Sequence, residues 1–264
     1  MTSPEPSETR GTQTLARGIA LLRLVGGGTG SASDLAAALG VPRSTAQRLL
    51  AALVAEGLLH RVPGQGYRLG PELIRLGAQA RAQRPILAIA RPVLARLADT
   101  TGDTVHLGVP DGDAVLYLDK IDGTRGLEMR SRPGQRMPLA FTGLGKALLS
   151  DFDAPTLRAL YERAAPAQAA QPGRVPPRPF AAFRDDIAAI RARSHSLDLE
   201  ENERGIRCVA APIRDVGGGI VAALSVASAA TYLPDDRIER LAPVVMAHAA
   251  EISQDLGWRP DDKS

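Results

Sequence analysis

The sequence predicts an α+β protein of two domains: an N-terminal winged helix-turn-helix, a joining helix, and a C-terminal α+β domain with an antiparallel sheet. Three observations carry this. Residues 12–70 read as three short helices followed by two short strands around a Pro-Gly turn. Beyond residue 100 the apolar spacing changes from helical to alternating. Charge is also uneven: residues 1–85 hold ten Arg against five acidic residues, while the remainder is slightly acidic in a chain of net charge +3. A basic first third on a near-neutral body points to an anion-binding module attached to something else.

Each element has its own signal. Residues 1–11 are a polar tail with little to bury. Leu15, Ile19, Leu22 and Val25 recur at helical spacing, and Gly26-Gly27-Gly28 ends that helix. Ser33 is the expected N-cap of a helix through Leu39, which Gly40 stops. Pro42 opens the next helix, whose stripe is Leu49, Leu50 and Leu53 and whose end is Gly57. Leu58-Leu59, the turn Pro63-Gly64-Gln65-Gly66 and Tyr67-Arg68-Leu69 form the wing, closing a domain over 12–70. Leu73, Leu76 and Ala80 continue as a linker helix over 71–85, with the boundary near Ala82–Pro85. The second domain is expected over 86–258. It begins with a helix carrying Leu87, Val93, Leu94 and Leu97, then the hairpin Val105–Val109 and Val115–Asp119 around Asp111-Gly112-Asp113. The Ala-, Gln- and Pro-rich segment 164–179 reads as a surface loop, Phe180–Arg193 as a helix, Cys208–Ile213 and Ile220–Val226 as a second hairpin, and Pro234–Leu256 as a closing helix before a tail over 259–264.

Composition narrows the function. With 264 residues, 44% hydrophobic and 23% charged, the chain has a core for each domain. No apolar run nears the roughly 18 residues of a membrane helix. The N-terminus has no secretory signal pattern, so the expected compartment is the cytoplasm. One cysteine excludes a disulfide framework and a Cys-based zinc site, and 3% aromatics argue against a stacking single-strand binder. No cofactor and no metal are expected.

The helix after Pro42 presents Arg43, Ser44, Gln47 and Arg48 opposite its leucines. Those types suit the major groove: Arg reads guanine edges, Gln adenine, and Ser a phosphate or base edge. Arg61 and Arg68 on the wing and Arg17 on the first helix are placed to hold phosphates. The DNA-contacting set is Arg17, Ser33, Arg43, Ser44, Thr45, Gln47, Arg48, Arg61 and Arg68. The bland alternative is a solvated polar face of a small helical domain.

The run from Ser33-Asp34-Leu35 through Pro42-Arg43-Ser44-Thr45-Ala46-Gln47-Arg48 to Leu53, with Glu56-Gly57-Leu58, resembles the DNA-binding domain of the IclR family of bacterial transcription regulators. Pro138–Leu149 and the stretch from Asp198 through Cys208–Asp215 to Val226 resemble the same family, so the likeness covers nearly the whole chain in order. Ser194 stands where that family usually has Gly or Ala, Arg214 where it has an aromatic residue or His, and Ala227 where it often has a second Ser. The resemblance implies a GAF-like effector-binding domain and a ligand-responsive regulator, expected as a homodimer or a dimer of dimers on double-stranded operator DNA. It also implies a small organic acid as effector and a pocket including Gly143, Leu144, Asp198, Cys208 and Ser225. Backbone N–H groups of Thr142–Lys146 are expected to favour an anion. Arg130, expected on a nearby strand, is a candidate for the carboxylate or for a surface ion pair.

Other readings compete. Gly143-Leu144-Gly145-Lys146 is reminiscent of a phosphate loop, but Ala140 and Ala147 stand where its Gly and Ser/Thr belong. Cys208 with His195 and Asp198 has the residue types of a thiol catalyst, so a small hydrolase or thiol-dependent enzyme is the alternative class. His106 faces away from the core side or into a cavity, with no second metal ligand at suitable spacing. The acid run Asp198–Glu203 is either a solvated loop or a pocket lid. The broad apolar face of the last helix is core or an oligomer contact.

Overall fold

The computed structural model describes residues 10–82, 85–125 and 129–259. They fall into two compact units that divide between Arg84 and Pro85.

The first unit packs α1 (Arg10–Gly26), α2 (Ala32–Leu39) and α3 (Arg43–Ala55) around Leu21, Val25, Leu35, Leu50 and Leu59. The helix through Leu15 forms as expected, but its buried set is different. Leu15 and Ile19 are 66% and 40% exposed, because the first two turns run past a core only five side chains deep. The N-cap of α2 is Ser31 rather than Ser33: its hydroxyl accepts the Asp34 N–H at 3.1 Å, leaving Ser33 exposed inside the first turn. The wing pairs β1 (Leu59–Val62) with β2 (Gly66–Leu69) in antiparallel register, Leu59 opposite Leu69. Gly66 is obligatory there. Its φ is +85°, and a Cβ would fall 2.1 Å from the Gly30 carbonyl, whose oxygen accepts the Tyr67 N–H at 2.9 Å. That contact ties the loop before α2 to the wing. Helix α4 (Pro71–Ala82) follows.

The second unit opens with α5 (Pro85–Thr101) and holds a six-stranded antiparallel sheet of order β5-β4-β3-β8-β7-β6. Its strands are β3 (Thr104–Asp111), β4 (Ala114–Ile121), β5 (Arg136–Pro138), β6 (Ser196–Leu199), β7 (Ile206–Arg214) and β8 (Ile220–Ala229). Period-two alternation sorts the side chains. Val105, Leu107, Val209, Ala211, Leu224 and Val226 turn to one face, packing on α5 and α9 (Asp235–Asp255). The apolar stripe of α9 is therefore core: Ile238, Leu241, Val245, Ala249 and Ile252 are all buried. The other face carries α6 (Gly143–Leu148), α7 (Ala154–Ala170) and α8 (Phe180–Arg193).

Three expectations are corrected here. Residues 164–170 belong to α7, which runs through Pro166; burial of Leu157, Leu160, Tyr161 and Gln168 outweighs the backbone bond that the proline forfeits. Asp198-Leu199 closes strand β6 instead of opening a loop. Arg130 lies in irregular chain before β5, exposed, not on a strand. Ser194 ends α8 in the left-handed region at φ 61°, a conformation that glycine takes without the Cβ penalty.

Candidate nucleic-acid interface and effector cavity

On α3 the pairs Arg43/Gln47 and Ser44/Arg48 are four residues apart and share one surface. All four are exposed, Thr45 is half-buried, and Ala46 and Leu50 turn inward. Proline at the N-cap leaves the first turn without a side-chain cap, and the Thr45 and Ala46 N–H groups reach the Pro42 carbonyl at 2.9 and 3.1 Å. The hairpin register sets the wing arginines on opposite faces: Arg61 sits beside Tyr67, and Arg68 beside His60 with its guanidinium donating to Gln65 Oε1 at 2.5 Å. Arg17 is half-buried on α1.

In the second unit, the face of the sheet away from α9 encloses a cavity of about 340 Å³, at the small end of ligand sites. All six residues proposed from sequence line it: Arg130, Gly143, Leu144, Asp198, Cys208 and Ser225. The alternation brings His106 of β3, Tyr117 of β4, Asp198 of β6, Cys208 of β7 and Ser225 and Ala227 of β8 to the same wall. Tyr117, Ser131 and Arg174 are lining residues that sequence reasoning missed, whereas His106, Thr142, Asn202 and Glu203 line it in keeping with the cavity, anion-segment and lid alternatives left open for them. For His106 the alternation was a usable signal; for Arg174 there was none.

The lining is electrically uneven. Burial holds the His106 imidazole down to about 4, with Lys120 adding to the effect, so it is neutral at physiological pH. Its Nε2 lies 2.7 Å from Ser131 Oγ and its ring 5.2 Å from that of Tyr117. Asp198 is pushed up to about 6 by burial, against the pull of Lys146 and of the Glu201 N–H, which it accepts at 2.8 Å. The same carboxylate accepts the Asn202 N–H at 3.3 Å, so the acid run forms one wall of the cavity.

Gly143 begins α6 hard against Cys208: an added Cβ would sit 2.3 Å from Sγ. Gly143→Ala is expected to cost about 1–3 kcal/mol of stability through overpacking. Adding Cys208→Ala should recover most of it, since the next neighbours lie at 3.7 Å. Equal losses in both backgrounds, measured by denaturant unfolding, would refute the contact's role.

The enzyme readings find no geometry. Burial raises the Cys208 thiol far above its usual range, so no thiolate forms near neutrality. His195 is not in the cavity wall, and its Nδ1 meets the Arg193 carbonyl at 2.9 Å. Lys146 reaches no phosphate site. It is fully buried and donates to Asp186 at 2.7 Å and Glu201 at 2.9 Å. The N–H groups of Gly145 and Lys146 go to Thr142 Oγ1 and the Thr142 carbonyl, leaving Thr142, Gly143 and Leu144 as that segment's share of the cavity wall. Among the described residues no cluster of His, Cys, Asp and Glu is suited to a metal.

A winged helix-turn-helix carried with a ligand-sized cavity on an α+β domain defines a ligand-responsive regulator of transcription. The comparisons agree. Residues 14–63 match the IclR helix-turn-helix domain and residues 78–254 the bacterial transcriptional regulator IclR C-terminal domain. The chain belongs to the IclR family. It is 32% identical to the HTH-type transcriptional regulator BhcR of Paracoccus denitrificans, over 95% of this chain and 90% of that protein. It is 31% identical to the acetate operon repressor of Salmonella typhimurium, over 93% and 90%. The Thermotoga maritima IclR crystal structure matches with a TM-score of 0.75 at 30% identity, over 93% of this chain and 99% of that one. An IclR homologue of Microbacterium hydrocarbonoxydans, solved with 4-hydroxybenzoate, shares the fold at a TM-score of 0.79 and 23% identity, over 92% and 99%. The chain is thus a transcription regulator with a DNA-binding and an effector-binding domain.

Proposed function

We propose that the chain is a homo-oligomeric, cytoplasmic operator-binding regulator whose cavity takes a small organic acid. The observation that carries the effector reading is the convergence of Arg130, Gly143, Leu144, Asp198, Cys208 and Ser225 on one cavity. Ser225 offers a hydroxyl and Arg130 a positive rim. The 4-hydroxybenzoate held by the Microbacterium homologue is an acid of this kind. Residues Arg43, Ser44, Thr45, Gln47 and Arg48 read the major groove, and Arg17, Ser33, Arg61 and Arg68 contact phosphates. Exposed Leu15, Ile19, Ile74 and Leu76 on α1 and α4 favour a second copy of the chain, which doubles the DNA contacts. Action on DNA is what supports the cytoplasmic reading. Among the described residues no helix is long and apolar enough to cross a membrane. Effector binding then favours one arrangement of the paired DNA-binding domains.

Thermal melting against small carboxylates, sugar acids and aromatic acids tests the effector. A ligand at 100 times its Kd stabilises by about 2.7 kcal/mol, a rise of roughly 5–10 °C. No rise across the panel would remove the organic-acid reading and leave the DNA-binding one.

The charge of Asp198 gives a second expectation. Above about 6 it is ionised and repels a bound carboxylate; below, it is neutral. Lys146 and Glu201 face it: the ammonium lowers the value and the Glu201 carboxylate raises it, while the neutral Cys208 thiol lies opposite on β7. Acid affinity should therefore rise roughly tenfold from pH 8 to pH 5.5. Asp198→Asn should bind more tightly at pH 8 and show a flat profile; an unchanged pH dependence in that variant would contradict the assignment.

A further inference from the structure

Part of the cavity wall is left unsatisfied by the protein itself. Arg174 follows α7 and pairs through an isolated β-bridge with Glu203, in the chain after β6. Its side chain is only 12% exposed. A guanidinium carries five N–H donors, and out of water each one lacking an acceptor is costly. Nη1 of Arg174 is buried and donates to no acceptor among the described residues. The Glu203 carboxylate approaches it to 3.7 Å, too far for a hydrogen bond. Nη2 meets the Met137 thioether at 3.8 Å, a weak acceptor. Beside it, Asn202 has a buried Oδ1 with no donor among the described residues, and the Val175 N–H bonds the Asn202 carbonyl at 3.4 Å, holding the two segments together. Arg174, Asn202, Glu203 and Met137 all line the cavity.

We propose that Arg174 and Asn202 form the anchoring end of the cavity, taking the carboxylate of a small organic acid that also carries a hydroxyl or amide N–H donor. The proposal rests on reading the cavity as an organic-acid site, and it assigns the charge recognition to a residue outside the set named above. Arg130 is exposed and stays hydrated, so a carboxylate gains little there. Arg174 has already shed its water, and its planar fork matches a carboxylate at two points. The Asn202 oxygen accepts from the ligand's hydroxyl or N–H, which distinguishes a hydroxy or amido acid from a bare alkanoate. An acid lacking that donor leaves Oδ1 as unsatisfied as it is in the empty cavity.

Titration calorimetry with matched probes tests this. The probes are lactate and 4-hydroxybenzoate, each beside its primary amide, and propionate as the acid without a donor. A hydroxy acid is expected to bind the wild type while its amide and propionate do not. Arg174→Met should weaken the acid about 30-fold or more, Arg174→Lys less, and Arg136→Ala on exposed edge strand β5 not at all. Without ligand, Arg174→Met should melt about 2–4 °C higher, because it removes an under-paired buried cation. An arginine that holds the fold together would give a lower melting temperature, which overturns the proposal. Acid binding that survives Arg174→Met, or an amide that binds as well as its acid, overturns the proposal and leaves the cavity reading intact. Failure of every probe to bind the wild type overturns both.

Discussion

Replacing Arg48 with alanine is expected to weaken specific operator binding by at least about 30-fold while leaving the fold and effector affinity unchanged. Arg48 stands on the exposed face of α3, one helical turn after Ser44, and the buried residues of that helix are Ala46 and Leu50. Each lost contact to a base or phosphate costs about 1–3 kcal/mol. In a dimer reading two half-sites the loss occurs twice, so affinity should fall roughly 30-fold to 10⁴-fold. The operator is obtained by selecting duplexes from a random-sequence pool with the wild-type protein. Gel shift or anisotropy on that duplex then gives the affinities, and circular dichroism reports the fold. The salt dependence separates two roles: a phosphate contact lowers the slope of log K against log salt by about one per half-site, whereas a base contact relaxes sequence preference at one position. Arg75→Ala is the control, since Arg75 on α4 is already paired with Glu72. Specific binding retained by Arg48→Ala would end the assignment of α3 as the recognition helix.

How much was legible in the sequence follows from where each signal resides. The winged domain was readable because its elements are specified locally. Gly40 and Gly57 adopt positive φ where α2 and α3 end, Pro42 precedes the first turn of α3, and the wing turns at Gly64 and Gly66. The cap at Ser31 rather than Ser33 was an error of two residues, because both serines precede apolar periodic positions. In the second domain the long strands showed period two, but β6 has four residues and an acid inside it, too short for the period to register. Pro166 read as the end of a helix; the tertiary burial of Leu160 and Gln168 kept α7 going, and no local pattern conveys that. The cavity residues split in the same way. Asp198, Cys208 and Ser225 lie in runs that carry the family resemblance. Arg174 lies in a Pro-rich stretch, and its surroundings of Met137, Asn202 and Glu203 come from two distant parts of the chain. His106 was placed on the right face, but only the sheet partners decide whether that face meets core or cavity.

Lys146→Ala is expected to be the most damaging single change in the second domain. The ammonium is completely buried, with Asp186 and Glu201 as acceptors. Burial works against its charged form, and the two carboxylates more than offset this, so its pKa is raised. Removing one partner of a buried ion cluster typically costs about 3–5 kcal/mol, because the remaining charges are stranded. Arg178 still reaches Glu201 at 2.8 Å and Arg193 reaches Asp186 at 3.1 Å, and both acids keep some exposure, which favours the lower half of that range. A fall in melting temperature of roughly 10 °C follows for a domain of this size. The contribution of a raised lysine is complete below its unfolded value near 10.5 and is lost only as pH climbs through the higher folded value, so the gap between variant and wild type should be constant from pH 7 to 9. Lys146→Met leaves Asp186 with Arg193 and Glu201 with Arg178, so adding Asp186→Asn and Glu201→Gln strands those two arginines and is expected to melt below Lys146→Met alone. The damage reaches the cavity by a short route. Glu201 gives its N–H to Asp198, so freeing its side chain loosens the wall that carries Asp198 and Asn202. Acid binding should weaken along with stability in Lys146→Ala. A variant as stable as the wild type would mean that Lys146 is held by packing alone and that the ion cluster contributes nothing net.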